Sequence, residues 1–286
     1  MPIYAPTLPP APDLLHGHPP VLVLMRFDFT RLWRQKIGRF FGFAFLVILF
    51  WKVARIYVDH LLQTNPAFKP MQDFAKTILT QGAAFQADLL NPAMYLLWFL
   101  VALVGGGLVA RDTLYRVRPL MYAHPVRPMD YLGAKGLFAA GLPFAIQLPF
   151  VLLPWLASLM IAGTRGPIWP TAPLHLIPAA AVIALLMGAV TLGASSLAGS
   201  PRAGFGWVLG IVLGTAALGG LVGGILGNPV WLALSPGALV TAWPDLLCGV
   251  AQPKLPWLPT VLGTALHIGL WTFIALKRTR PSEAVI

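Results

Sequence analysis

The chain has 286 residues, of which 57% are apolar and only 10% charged, against about 25% charged in a soluble domain. Twenty basic residues face nine acidic ones, with a single glutamate at Glu283, and the formal net charge is +11. So few carboxylates cannot cover a water-soluble surface of this size, and so apolar a chain is not disordered; the composition specifies an all-α polytopic membrane protein.

In chain order, residues 1–20 hold seven prolines and read as an extended tail. The tail has no apolar core, so a cleavable signal peptide is not expected and the first span serves as its own insertion signal. Residues 21–286 form one transmembrane domain. From Val21 to Arg39, Phe27, Leu32 and Trp33 alternate with Arg26, Arg31, Arg34 and Lys36. This is the pattern of an amphipathic helix lying in the membrane interface, a merely basic flank being the plainer alternative. Six stretches are long and apolar enough to span a bilayer, at about 38–60, 93–110, 137–162, 176–199, 204–227 and 257–276. Lys52 and Arg55 lie in the outer part of the first span, where they can snorkel outward and meet Asp59. The loop that follows contains a stretch, 74–90, that suits a short helix.

The basic residues set the orientation. Fourteen fall on the side of both termini, including Arg26 to Arg39, Arg111 to Lys135, Arg202 and Lys277 to Arg280, whereas Lys69, Lys76, Arg165 and Lys254 fall on the other. Both termini are therefore expected in the cytoplasm, and the positive charge is a topology signal with no nucleic acid implied.

The segment between the second and third spans, Arg111 to Lys135, is 25 residues long, whereas helix connections usually take about two to eight. Leu114, Tyr115, Leu120, Met121 and Tyr122 give an apolar stripe on a short helix, which Pro125 would end. A short, sided helix of this kind suits docking in a groove of a partner.

Arg111-Asp112 leaving the second span, the leucine-containing stretch to Tyr122, the turn His124-Pro125-Val126-Arg127 and the Tyr131-Leu132-Gly133-Ala134-Lys135 element together resemble the ABC-2 type permease family, the membrane subunits of ABC exporters. Two departures are Ala123-His124-Pro125 in place of the family's usual Ser-Arg-Pro-like triplet, and Asp112 in place of the more common glutamate. The resemblance implies a bacterial inner-membrane exporter. Two permease chains, identical or paralogous, would work with two copies of a separate ATPase subunit. Arg111, Asp112, Leu114, Tyr115, Leu120, Tyr122, Pro125, Arg127, Tyr131 and Lys135 would carry the coupling contact. The chain contains no G-x-x-x-x-G-K-[ST] phosphate loop, so it is not expected to be an enzyme by itself or to hold a cofactor. ATP and magnesium would be bound by the partner.

Pro143, Pro149 and Pro154 are expected to kink the third span. In the fifth, Gly206, Gly210 and Gly214, continued by Gly219, Gly220, Gly223, Gly224 and Gly227, form a groove that allows close approach of helices in lipid, with Gly206, Gly210, Gly214, Gly220 and Gly224 as the expected contact residues. That contact is either between two permease chains or within one. Residues 228–256 read as one or two short helices dipping into the outer leaflet, through Trp231, Leu232, Leu239, Val240, Trp243 and Leu246. No carboxylate lies mid-span, which disfavours a proton- or cation-coupled carrier. The lone Cys248 forms neither an intrachain disulfide nor a thiolate metal site alone. His16, His18, His60, His124, His175 and His267 are scattered, and no metal site is expected.

Two rival readings remain. Gly193-Ala194-Ser195-Ser196 in the fourth span and His267 in the sixth resemble the arrangement of the rhomboid serine proteases, and a serine nucleophile needs a base within hydrogen-bond reach. At 1.5 Å per residue, however, Ser195 lies about 29 Å and His267 about 15 Å into spans running the same way, and the expected outer Trp-Arg motif is missing. The other rival is a membrane scaffold that uses the same loop to bind a partner that is not an ATPase.

Overall fold

The computed structural model describes residues 20–65, 67, 82–115, 128–162 and 168–279. All regular structure among them is helical. Ten α-helices follow in order: α1 (Pro20–Arg34), α2 (Lys36–Thr64), α3 (Gly82–Asp88), α4 (Asn91–Gly105), α5 (Leu108–Leu114), α6 (Pro128–Ala162), α7 (Ala172–Leu197), α8 (Pro201–Leu226), α9 (Pro236–Leu247) and α10 (Trp257–Thr279). A 3-10 turn, Pro229–Leu234, links α8 to α9. Six segments are long and apolar enough to cross a membrane: α2, α3 to α5 taken together, α6, α7, α8 and α10.

The second and fourth of these segments form the centre. Their most apolar stretches are 72% buried, against 17–28% in the other four. The fourth owes its place to small side chains. Ala179, Ala180, Ala184 and Ala194 are buried, and a Cβ on Gly188 would come within 2.8 Å of the Ala140 backbone nitrogen of α6. On the same helix, a Cβ on Gly193 would come within 2.8 Å of the Trp271 carbonyl oxygen of α10. Where lipid offers no hydrophobic drive between helices, such close backbone approach supplies the packing. The outward faces are apolar, with Phe40, Phe43 and Phe50 on α2, Leu213, Leu221 and Ile225 on α8, and Leu262 and Leu266 on α10 all exposed.

Several boundaries differ from the sequence expectation. The second segment begins at Gly82 instead of 93, and it is three helices, α3 and α4 being joined at Leu89 and Leu90. The third is already helical at Pro128 instead of from 137, which proline permits in a helix's first turn. This brings Tyr131 and Lys135 into regular helix. α6 runs unbroken through Pro143, Pro149 and Pro154. The proline-rich tail, residues 74–81 and residues 116–127 lie outside the described residues.

The second segment is interrupted at Gly105-Gly106-Gly107, between α4 and α5. Ser195 of α7 sits against this break. Its Oγ accepts from the backbone N–H groups of Val109 (2.9 Å) and Ala110 (3.2 Å) and donates to the Gly106 carbonyl (2.9 Å). One fully buried hydroxyl thereby uses its donor and both its lone pairs on backbone groups that a helix start leaves open. Gly106 also packs backbone to backbone against Gly204 of α8, where a Cβ on either residue would collide with the other strand of chain.

Candidate functional site

The helices on either side of residues 116–127 meet in a buried ionic cluster. Asp112 lies in the last turn of α5, and Tyr131 and Lys135 are four apart on α6, hence on one face. Lys135 Nζ donates to Asp28 of α1 at 3.0 and 3.3 Å and lies 3.3 Å from Asp112 Oδ2. That same oxygen accepts from the Tyr131 hydroxyl at 2.8 Å. Lys135, Asp28 and Tyr131 are all buried.

Burial pushes the Asp28 carboxyl up from the ordinary aspartate range, against the pull of Lys135. The arrangement is costly to leave half made. Removing one partner of a buried pair strands a charge and typically costs about 3–5 kcal/mol. Arg111 does not join the cluster but lines a crevice of about 40 Å³ beside it, together with Arg31 and Gln35.

Of the residues expected in the coupling segment, Asp112, Tyr131 and Lys135 come together, and all three are helical instead of lying in a loop. Leu114 ends α5 and Tyr115 follows it; both are exposed, so the chain leaves the bundle with its apolar side chains uncovered. Leu120, Met121, Tyr122, Pro125 and Arg127 lie outside the described residues. Asp28 was not among the expected site residues. The available signal was a single carboxylate among the arginines of α1, four positions before the buried Leu32 and therefore on the inward face.

A second ionic cluster lies at the opposite end of the first span. Lys52 Nζ and Arg55 Nη1 lie 2.6 and 3.2 Å from Asp88 Oδ2 at the end of α3. Lys52 also donates to the Asp88 carbonyl at 2.7 Å, and the Arg55 guanidinium rests over the Phe85 ring, 4.5 Å from its centroid. Lys52 thus turns to the second span instead of to Asp59.

The fifth-span glycines divide into two sets. Cβ atoms on Gly206, Gly210, Gly214, Gly220 and Gly224 would meet nothing within 4 Å. A Cβ on Gly219, by contrast, would come within 2.7 Å of the Trp231 carbonyl oxygen. Among the described residues, then, no other part of the chain packs closely against the Cα of these five glycines.

Between the last two spans the expected short helices are the 3-10 turn and α9. Leu239, Val240 and Trp243 are buried, and Trp231 is exposed. Trp243 Nε1 donates to Thr264 Oγ1 at 2.9 Å, tying α9 to α10.

Ser195 and His267 are engaged separately. Ser195 serves the break in the second segment, and His267 Nε2 lies 3.0 Å from the Leu234 carbonyl while its Nδ1 accepts from Trp271 Nε1 at 3.3 Å. Among the described residues, no three His, Cys, Asp or Glu side chains gather as a metal site requires.

No protein-family model matches this chain, and no curated protein matches it.

Proposed function

We propose that this chain is the permease subunit of an ABC-2 type exporter in a bacterial inner membrane, with both termini cytoplasmic and a separate ATPase docked on the segment between the second and third spans. The observation that carries this reading is the Asp28–Lys135–Asp112–Tyr131 cluster. It ties α1, α5 and α6 together at the two ends of residues 116–127. A force applied to that segment is therefore delivered to three helices at once, which is what a coupling contact needs. Support also comes from the six spans and from the exposed Leu114 and Tyr115. The open glycine face of α8 suits a second permease chain, and ATP and magnesium would belong to the partner ATPase.

The test is alanine substitution at Asp112 and Arg127 in the reconstituted complex. The reading expects ATP turnover to lose its dependence on the permease, by about tenfold or more, as removal of a charged hydrogen bond worth about 1.5–3 kcal/mol implies, while assembly stays intact. Turnover and transport unchanged in both variants would sink the coupling role, and a partner without ATPase activity would favour a scaffold.

A further inference from the structure

Two guanidinium groups beside the ionic cluster form no ion pair with a described residue, although they feel the nearby Asp28 and Asp112 carboxylates through space. Arg31 of α1 and Arg111 of α5 line one crevice, whose walls also include Gln35, Asp28, Asp112 and Lys135. Both carboxylates there are held by Lys135. Neither guanidinium makes a hydrogen bond or an ion pair with a described residue. Three cations against two carboxylates leave the crevice with an excess positive charge. Its volume of about 40 Å³ corresponds to about three waters, which suits a single tetrahedral oxyanion, and its open mouth leaves room for the rest of a larger ligand outside. Planar guanidinium forks match the oxygens of such a group.

The surroundings identify the source of that oxyanion. On α1 the only carboxylate, Asp28, is turned inward, whereas Leu22, Phe27 and Trp33 are exposed alongside Arg26, Arg31 and Arg34. An apolar and basic face without an acid, on a helix that leads directly into a span, suits a negatively charged membrane leaflet. A soluble anion would have no use for the exposed Phe27 and Trp33. We propose that the crevice between α1 and the second span holds the phosphate of an anionic phospholipid, with Arg31 and Arg111 as its ligands and the apolar side chains of α1 against its acyl chains.

The test uses the full chain in nanodiscs of phosphatidylcholine with or without phosphatidylglycerol, followed by native mass spectrometry of retained lipid. Phosphatidylglycerol is expected to be retained selectively. Arg31→Ala and Arg111→Gln should each lower its retention about tenfold or more, the loss of a charge-assisted contact. Arg34→Ala, on the same helix but away from the crevice, should have no more than the few-fold effect of a surface charge near a membrane. Arg31→Lys keeps the charge and loses the fork, so it guards against unfolding and should also lose retention. Equal losses from all three arginines would reduce the site to diffuse attraction and overturn the proposal. So would retention without preference for phosphatidylglycerol, or displacement of the lipid by excess inorganic phosphate, which would make this a soluble-anion site.

Discussion

The Ser195 hydroxyl, 0% exposed, holds three backbone groups at the break in the second segment. Ser195→Ala leaves two N–H groups and a carbonyl without that partner, and is expected to lower stability by about 1–3 kcal/mol. The chain supplies its own probe for the measurement. Cys248 is its single cysteine, 3% exposed, and burial, aided by the nearby Asp245 carboxylate, pushes its thiol up to about 12. A thiol-reactive dye should therefore label it only on unfolding, and the labelling midpoint on heating should fall in the Ser195→Ala variant; an unchanged midpoint would contradict the latch. Asp28 gives a second residue-scale prediction, in pH. Its folded carboxyl titrates above the ordinary 3.8, so the folded chain binds more protons than the unfolded one between those two values. Stability contributed by this group accordingly rises as pH falls through that window and is lost as pH rises through it. Asp28→Asn should flatten this dependence, measured as the labelling midpoint in a series of buffers. A slope that survives the substitution would assign it to another group.

Helix crossings follow the same physics at larger scale. Gly188 admits the α6 backbone, so Gly188→Val is expected to destabilise the fold by about 1–3 kcal/mol or more through overpacking. A Cβ on Gly210, equally a glycine in a long apolar helix, would meet none of the described residues within 4 Å. Gly210→Val should leave the labelling midpoint unchanged but convert a dimer to a monomer in light scattering of the detergent-solubilised chain. A dimer that survives this change and the matching one at Gly214 would remove the fifth span from the interface. The same contrast shows what was legible beforehand. Six spans could be read directly, because runs of about 20 apolar residues have few alternatives in structure. The interfacial pattern from Val21 onward anticipated a helix, and α1 is there. Spacing alone could not distinguish Gly188 from Gly210, since the partner helix is named nowhere in the local sequence. Nor could it show that Lys52 turns to Asp88, or that Ser195 serves Gly106, partners 36 and 89 positions away. The first turns of α6 were missed for a different reason: polar and proline-containing residues ahead of the apolar run read as loop, although proline is at home at a helix start.

For the whole molecule, the second, third, fifth and sixth spans pack against the fourth while the first packs on the third, and the break beside Ser195 separates the body of the second segment from α5, which carries Asp112. α1, α5 and α6 are joined through Lys135, so the helices flanking residues 116–127 meet on one ionic cluster. At the other side of the molecule, α8 presents an exposed stripe of glycines. The central claim is that a separate ATPase is the driver. The most direct measurement is affinity purification of the tagged chain from native membranes in mild detergent, with mass spectrometry of what accompanies it. The account predicts a stoichiometric P-loop ATPase, lost on alanine substitution through the 114–122 stripe; a clean dimer of the chain with no ATPase, in detergent that preserves other membrane complexes, would contradict it.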